Sequence, residues 1–283
     1  MTVRIITDSS CDLPAASVKE HRLTVVPLTI RFGDEEFVDR IELTTAEFWA
    51  KCSASPVLPA TAAPAPGQFE AAYRQLAEEG ASGVVVVSLS SALSATMQSA
   101  SLAAEAVAGT IRVEVVDSRS ASLGVGMMAI AAARAADTGA SVDEVAALVR
   151  DLSGRTHVWG TLDTLDNLKK GGRIGGAKAF LASALAIKPI IQLREGVVAE
   201  GGKQRTRAKA LAFLIDKVRE CPAIERLAVG HADCSDVDMF VEMLKPYSSG
   251  EILVGDIGAV IGSHSGRGTM AVVFQTPAAI AHT

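Results

Sequence analysis

The sequence predicts an α/β protein of two domains, and three observations carry this prediction. Short β-branched runs alternate with longer runs rich in Ala and Leu through the first half, which is the pattern of parallel βαβ units. The pattern changes near residue 153, after which a hairpin and further strands follow. The length of 283 residues fits about two domains at roughly 100–200 residues each. We therefore predict domains over residues 1–153 and 154–283.

Hydrophobic periodicity predicts the elements of the first domain. Apolar and β-branched runs predict strands over residues 3–7, 25–32, 83–88 and 112–117. The spacing of Phe69, Ala72 and Leu76 predicts a helix over 68–79, and Ala-rich runs predict helices over 94–107 and 123–136. Sites in parallel sheets lie beyond the carboxyl ends of the strands. We therefore expect residues 8–10, 88–94 and 117–118 to lie near a site.

The second domain is predicted from shorter signals. Apolar runs predict strands over residues 158–162, 227–230, 252–254 and 270–274. Runs over 186–193 and 197–198 flank Arg194-Glu195-Gly196, which indicates a hairpin with Gly in the turn. A short helix is predicted from residue 165, with longer ones over 207–219 and 237–244.

Composition and charge exclude several classes of function. Lys and Arg number 27 against 32 Asp and Glu, for a net charge of −5, and aromatics are 4%, which argues against a nucleic-acid partner. The longest apolar runs are far shorter than the roughly 20 residues that span a bilayer, so we expect at most transient membrane contact. The histidines lack metal-ligand spacing and no nucleotide-binding motif is present, so we expect neither a metal nor another cofactor.

Cysteine usage indicates a reducing compartment. The four cysteines lie far apart, and the first residues lack the layout of a secretion signal. We therefore expect free thiols, a cytoplasmic location and, by default, a monomer.

Four polar segments hold the candidate site residues. Thr61 begins a Pro-rich loop over 61–67, and Ser94 lies in a hydroxyl-rich turn from strand to helix. Arg173 lies in a basic, Gly-rich loop over 169–176, where backbone N–H groups can bind an anion. His264 lies in a Gly-rich turn over 262–268, and glycines there suggest close approach of the backbone to another group.

Each segment also has a structural interpretation. Ser94 is a candidate N-cap, the 169–176 loop a candidate solvated turn, and His264 a candidate structural histidine. Ser94, His264 and an Asp also form a possible hydrolase triad, although no GxSxG elbow surrounds Ser94. A third interpretation is a phosphate-ligand site at the 169–176 loop.

Taken together and in this order, the segments resemble the DegV family of bacterial fatty-acid-binding proteins. The similarity extends over nearly the whole chain, in stretches at residues 7–13, 26–30, 61–69, 90–96, 171–174, 187–190, 205–207 and 257–268. It includes Thr7-Asp8-Ser9-Ser10, Gly171-Gly172-Arg173-Ile174 and Arg205-Thr206-Arg207.

The resemblance implies a Rossmann-like parallel-sheet domain, a second α/β domain with a mixed sheet, and a ligand tunnel between them. It implies a lipid-binding subunit that is not catalytic alone and presents a long-chain fatty acid to a separate ATP-binding kinase subunit. That subunit would form an acyl-phosphate that feeds phospholipid synthesis. On this resemblance Thr61, Ser94 and His264 bind the carboxylate. Arg173 and Arg205 face the phosphate transfer or the partner.

The sequence departs from the family pattern at three places. Ala62 replaces a serine beside Thr61, so a second hydroxyl near the carboxylate is missing. Ala95 replaces a glycine after Ser94, and Arg267 replaces a proline between two glycines. These departures concern ligand choice and partner fit more than the fold.

Overall fold

The structure, a computed structural model, describes residues 2–182 and 187–278, with the backbone alone for 179–182. Its strands are β1 (Val3–Asp8), β2 (Thr24–Val26), β3 (Thr29–Phe32), β4 (Glu35–Val38), β5 (Ala60–Ala62), β6 (Gly83–Ser88), β7 (Val113–Asp117), β8 (Thr156–Thr161), β9 (Lys188–Arg194), β10 (Val197–Gln204), β11 (Arg226–His231), β12 (Leu253–Asp256) and β13 (Met270–Gln275). Its helices are α1 (Ala15–Glu20), α2 (Thr45–Ala54), α3 (Pro66–Glu78), α4 (Thr96–Ala106), α5 (Leu123–Asp137), α6 (Val142–Arg155), α7 (Asp166–Lys170), α8 (Arg207–Arg219), α9 (Val237–Leu244) and α10 (Ala259–Ser265).

A four-stranded parallel sheet forms the first part of the fold, in the order β2-β1-β6-β7. Its strands are almost continuously apolar, and β6 is buried at every position, as expected of a sheet covered on both faces. The predicted parallel-sheet first domain is confirmed in this sheet.

A six-stranded mixed sheet forms the second part, in the order β10-β9-β8-β13-β11-β12. Only β11 and β12 in it pair parallel. The predicted hairpin joins β9 to β10, and its turn residues Glu195 and Gly196 both have positive φ, as a type I′ turn requires. The predicted start of this strand at Ala186 lies outside the described residues.

Helices cover both sheets in layers. Helices α3 and α4 pack on one face of the parallel sheet, with Phe69 and Tyr73 fully buried there. Helix α5 lies between the other face and the mixed sheet, and nearly every one of its side chains is buried. Helices α8 and α9 cover the far face of the mixed sheet. One apolar cluster joins α5 to residues of both sheets, from Val85 to Val273.

The predicted single strand over residues 25–32 is wrong. The chain instead makes two strands in two sheets, because β2 pairs parallel with β1 while β3 pairs antiparallel with β4 and β5. Pro27 stands at the break and has no backbone N–H for a ladder. The third sheet, β4-β3-β5, packs with α2 and α10.

Two predicted site segments have a different local structure. Thr61 lies in strand β5 opposite Ile30, not in an irregular loop, and α3 already begins at Pro66. His264 lies in the last turn of the short helix α10 rather than in a loop. The domain boundary at 153 stays a prediction, and it falls within the last turn of α6.

Candidate functional site

A cavity of about 210 Å³ lies where the carboxyl ends of β6 and β7 face the mixed sheet. This is far more than the roughly 10–15 Å³ that one water needs. Most of its wall is aliphatic, and it includes Leu28, Leu89, Leu93, Ile191, Ile257 and Val260. Of the three segments expected near a site, residues 88–94 contribute to the cavity wall, whereas residues 8–10 and 117–118 do not line it.

Contacts link side chains from distant segments of the chain within one part of the cavity wall. Thr61 from β5, Ser94 from the turn before α4, and His264 from α10 all line it, with Arg173 beside them. The Thr61 hydroxyl and His264 Nε2 share a hydrogen bond of 2.9 Å. We call Thr61, Ser94, His264 and Arg173 the polar end of the cavity.

The His264 imidazole is largely removed from water. Burial, together with the positive charge of Arg173, lowers its pKa to about 4 from the ordinary 6.5. The ring is therefore neutral near pH 7 and carries one N–H donor. Its buried Nδ1 has no hydrogen-bond partner among the described residues.

Ser94 already has internal partners. Its hydroxyl lies 2.9 Å from that of Thr96, and it accepts a bond from the Thr96 backbone N–H at 3.3 Å. Because α4 begins at Thr96 and its N-cap is Ala95, Ser94 is not the N-cap, although it accepts from the first helical amide. This turn points a hydroxyl into the cavity from the start of a helix.

Arg173 connects the turn that holds Ser94 with the Gly-rich loop beside His264. Its Nε donates to the carbonyl of Leu93 at 3.1 Å, and its Nη1 donates to that of Gly171 at 2.6 Å. Gly171 packs so closely on the imidazole that a Cβ there would lie 2.3 Å from His264 Nδ1. The glycine of this loop therefore permits its backbone to approach the His264 ring closely, a contact that was expected from the glycines around His264 rather than from this loop.

Arg205 is not part of the cavity wall. It lies between β10 and α8, is exposed, and forms no ion pair with any residue that the structure describes. The structure thus brings four of the five predicted site residues together and leaves Arg205 outside.

Three hydroxyls that were not predicted from the sequence also line the cavity, those of Ser122, Ser265 and Thr269. Ser122, just before α5, lines the cavity and donates to Asp12 at 2.6 Å. Ser265 also lines it, and its buried hydroxyl has no partner within the described ranges. Its position beside His264 in the Gly-rich segment was the available signal.

The arrangement does not form a hydrolytic triad. In the part of the chain that the structure describes, Ser94 bonds to Thr96 rather than to His264, and no carboxylate reaches His264 Nδ1. No cluster of three metal-binding side chains occurs in residues 2–182 and 187–278; His282 lies outside them. None of the described helices is both long and apolar enough to cross a membrane.

Comparison with known proteins places the chain in a family. A family model described as "Uncharacterised protein, DegV family" matches residues 2–276. A DegV domain-containing protein of Streptomyces coelicolor is 38% identical over 280 residues, which cover 97% of this chain and 98% of the relative. The chain belongs to the DegV family. Its α/β fold of a parallel and a mixed sheet is the fold of solved members of the family.

Two of those solved structures have names that state a ligand. "Fatty Acid Binding of a DegV family Protein from Thermus thermophilus" superposes with a TM-score of 0.89 at 35% identity, covering 98% of this chain and all of that one. DegV from Bacillus subtilis, named as a fatty acid binding protein, superposes at 0.85 with 28% identity and covers 98% and 100%.

Proposed function

We propose that this protein binds one long-chain fatty acid in the cavity between its sheets and holds the carboxylate through Thr61, Ser94 and His264. The observation that carries the proposal is an aliphatic cavity with these three side chains and Arg173 at one end. The Thermus and Bacillus relatives, both named for fatty acid binding, support the same ligand class.

The aliphatic wall accounts for the tail. Each buried CH₂ contributes about 0.8 kcal/mol, so a tail of roughly fifteen methylenes gains on the order of 10 kcal/mol on leaving water. Immobilising and ordering the ligand offsets part of that gain. Leu89, Leu93 and Ile257 offer no polar side-chain atoms that would compete for water.

The polar end accounts for the acid group. A buried carboxylate without partners costs several kcal/mol. The hydroxyls of Thr61 and Ser94 and the N–H of the neutral His264 ring can each donate to a carboxylate oxygen. A hydrogen bond to a charged group contributes roughly 1.5–3 kcal/mol.

The finer part of the proposal concerns the reaction of the bound acid. A separate ATP-dependent kinase subunit transfers a phosphoryl group to the held carboxylate, so this chain acts as a carrier and not as an enzyme alone. Fixed carboxylate oxygens favour in-line attack on the γ-phosphate. Arg173 and the exposed Arg205 offset the charge on the transferring group or contact the partner.

Native mass spectrometry of the purified protein tests the proposal. A mass increment of one long-chain acid, lost on solvent extraction, is the expected result. A covalent adduct of Ser94 with a fluorophosphonate probe would instead favour the hydrolase, and a bound nucleotide would favour the phosphate site. Either result without lipid overturns the carrier.

A further inference from the structure

A buried acid outside the polar end joins the elements that form the cavity. Asp12 follows β1 after one helical turn, and its side chain is fully buried. Its Oδ1 accepts a bond from the backbone N–H of Gly258 at 2.9 Å, and its Oδ2 accepts one from the Ser122 hydroxyl at 2.6 Å. Arg40 Nη2 lies 3.5 Å from Oδ1.

The bond to Gly258 fixes the helix that carries His264. Gly258 is the N-cap of α10 and has no side chain with which to cap the helix itself. A Cβ there would lie 3.0 Å from Asp12 Oδ1, so any other residue would require Asp12 to shift by a few tenths of an ångström. A helix this short depends on tertiary contacts. His264 follows within the same helix, roughly 9 Å along its axis, so a shift at Gly258 carries the imidazole with it.

The bond to Ser122 fixes the start of α5. Ser122 is a non-glycine residue at φ +55°, lines the cavity, and its side chain makes no capping bond to its own helix. A left-handed conformation at such a residue persists only where neighbours impose it. Asp12 accepts a hydrogen bond from the Ser122 hydroxyl and another from Gly258, and so connects this part of the cavity wall to the start of α10.

The Asp12 carboxyl is buried at a cost in desolvation. Burial raises the pKa of Asp12 to about 7, against the opposing effect of Arg40. An apolar side chain would fill the space without that desolvation cost. The titratable groups facing this region are Asp8, Cys11, Asp39 and Arg40, with His231 and Asp256 on the adjoining groove.

We propose that Asp12 is a positioning residue for the polar end of the cavity. By bonding to both Gly258 and Ser122, it fixes the position of α10, and therefore of His264, relative to the start of α5. The proposal rests on the proposed function for its effect on ligand, but its effect on His264 needs no ligand. Asp12 thus acts through Gly258 and Ser122 without touching the acid.

The test compares Asp12→Ala with Asp12→Asn in the delipidated full-length chain. NMR titration follows the His264 imidazole, and calorimetry gives the palmitate affinity. In Asp12→Ala we expect the pKa of His264 to rise from about 4 toward 6.5 as the ring gains water, and palmitate binding to weaken about tenfold or more. Asp12→Asn keeps an acceptor for Gly258 and a partner for Ser122, and should stay within about threefold of wild type.

Tyr73→Phe is the matched control. It removes a buried hydrogen bond of 3.0 Å to the Ala100 carbonyl on the far side of the parallel sheet, so it should lower Tm without moving either readout. A folded Asp12→Ala protein with unchanged His264 pKa and affinity overturns the proposal. If Asp12→Ala does not fold, Ser122→Ala provides the test. A wild-type His264 pKa together with a wild-type palmitate affinity in that variant overturns the proposal, whereas shifts smaller than those expected for Asp12→Ala support it. If the wild type binds no palmitate but the His264 pKa still changes in Asp12→Ala, the proposed function is refuted and the positioning role of Asp12 is not.

Discussion

Each side chain at the polar end has an internal partner before any ligand arrives. Thr61 bonds to His264, Ser94 to Thr96, and Arg173 to two carbonyls. Donors already oriented in this way lose little conformational freedom when a carboxylate binds. We therefore expect substitutions of Thr61, Ser94 and His264 to act mainly through the lost bond to the ligand.

Ser94→Ala and His264→Ala should each weaken palmitate binding. A lost bond to a charged group costs roughly 1.5–3 kcal/mol, which corresponds to about tenfold or more in Kd. Calorimetric titration of delipidated protein measures the change. Thr138→Val, at an exposed hydroxyl on the C-cap of α5, is the control and should bind as wild type. Wild-type affinity in both alanine variants would contradict the assignment of the polar end.

Arg173→Ala and Arg205→Ala should separate binding from phosphate transfer. We expect both variants to retain palmitate and to lose acyl-phosphate formation when ATP and the kinase subunit are supplied, because charge on the transferring group goes unmatched. Arg205→Ala separates the two effects better, because Arg205 lies outside the cavity and its loss should leave palmitate binding unaffected. If Arg173→Ala empties the cavity, its assigned role in transfer is wrong.

His264 should make the delipidated protein less stable in acid. Its pKa is about 4 in the fold and about 6.5 when unfolded, so the unfolded chain binds the proton more tightly. The stability contributed by the neutral ring is complete above pH 6.5 and is lost as the pH falls toward 4, by up to about 3 kcal/mol. Urea unfolding of wild type and His264→Gln across this range measures the difference. Parallel curves for the two proteins would show that the ring does not titrate as described.

Helix α5 depends on glycine where another backbone passes. A Cβ at Gly126 would lie 2.7 Å from the Cys11 carbonyl oxygen and from Leu13. Ordinary helix propensity favours Ala over Gly by about 1 kcal/mol. At this position the close contact favours Gly, so the two effects on stability have opposite signs.

Gly126→Ala should destabilise the protein by roughly 1–3 kcal/mol, because the backbone at Cys11 cannot yield as a flexible side chain can. Gly154→Ala on α6 is the matched control: nothing lies within 4 Å of its Cβ position, so it should be neutral or stabilising. Urea midpoints measure both. A Gly126→Ala protein as stable as Gly154→Ala would mean that α5 does not pack as closely as described.

Elements with strong local signals could be predicted, and those that depend on partners could not. The bounds of β6, α8 and α9 agree with the periodicity, because each pairs a clear apolar pattern with definite ends. Strand β5 is three residues long and exists through its pairing with β3. Helix α6 was not predicted, although Ser141 and Glu144 form a capping box at its start.

The cavity is a property of the whole molecule and could not be predicted from periodicity. Thr61 and His264 are 203 positions apart, and no local pattern indicates that they meet at 2.9 Å. The family resemblance suggested the pair, whereas Ser122 and Asp12 emerge only once α5 and α10 are packed together.

The two sheets should unfold together. Helix α5 buries its side chains against both, and one apolar cluster runs through all three layers. The two tryptophans report different regions: Trp49 packs near the third sheet and Trp159 near the outer helices of the mixed sheet. Single-tryptophan variants, Trp49→Phe and Trp159→Phe, should show one coincident thermal transition. Two separated midpoints would mean that the third sheet, which Trp49 reports, unfolds independently of the mixed sheet, which Trp159 reports.

The central claim is that a fatty acid lies in the cavity with its carboxylate on Thr61, Ser94 and His264. NMR of palmitate labelled at its carboxyl carbon tests this most directly, in wild type and in His264→Ala. We expect one bound carboxyl resonance that does not titrate with the free acid, and a shifted or absent resonance in the variant. A bound carboxyl that titrates like the free acid and ignores the substitution would contradict the account.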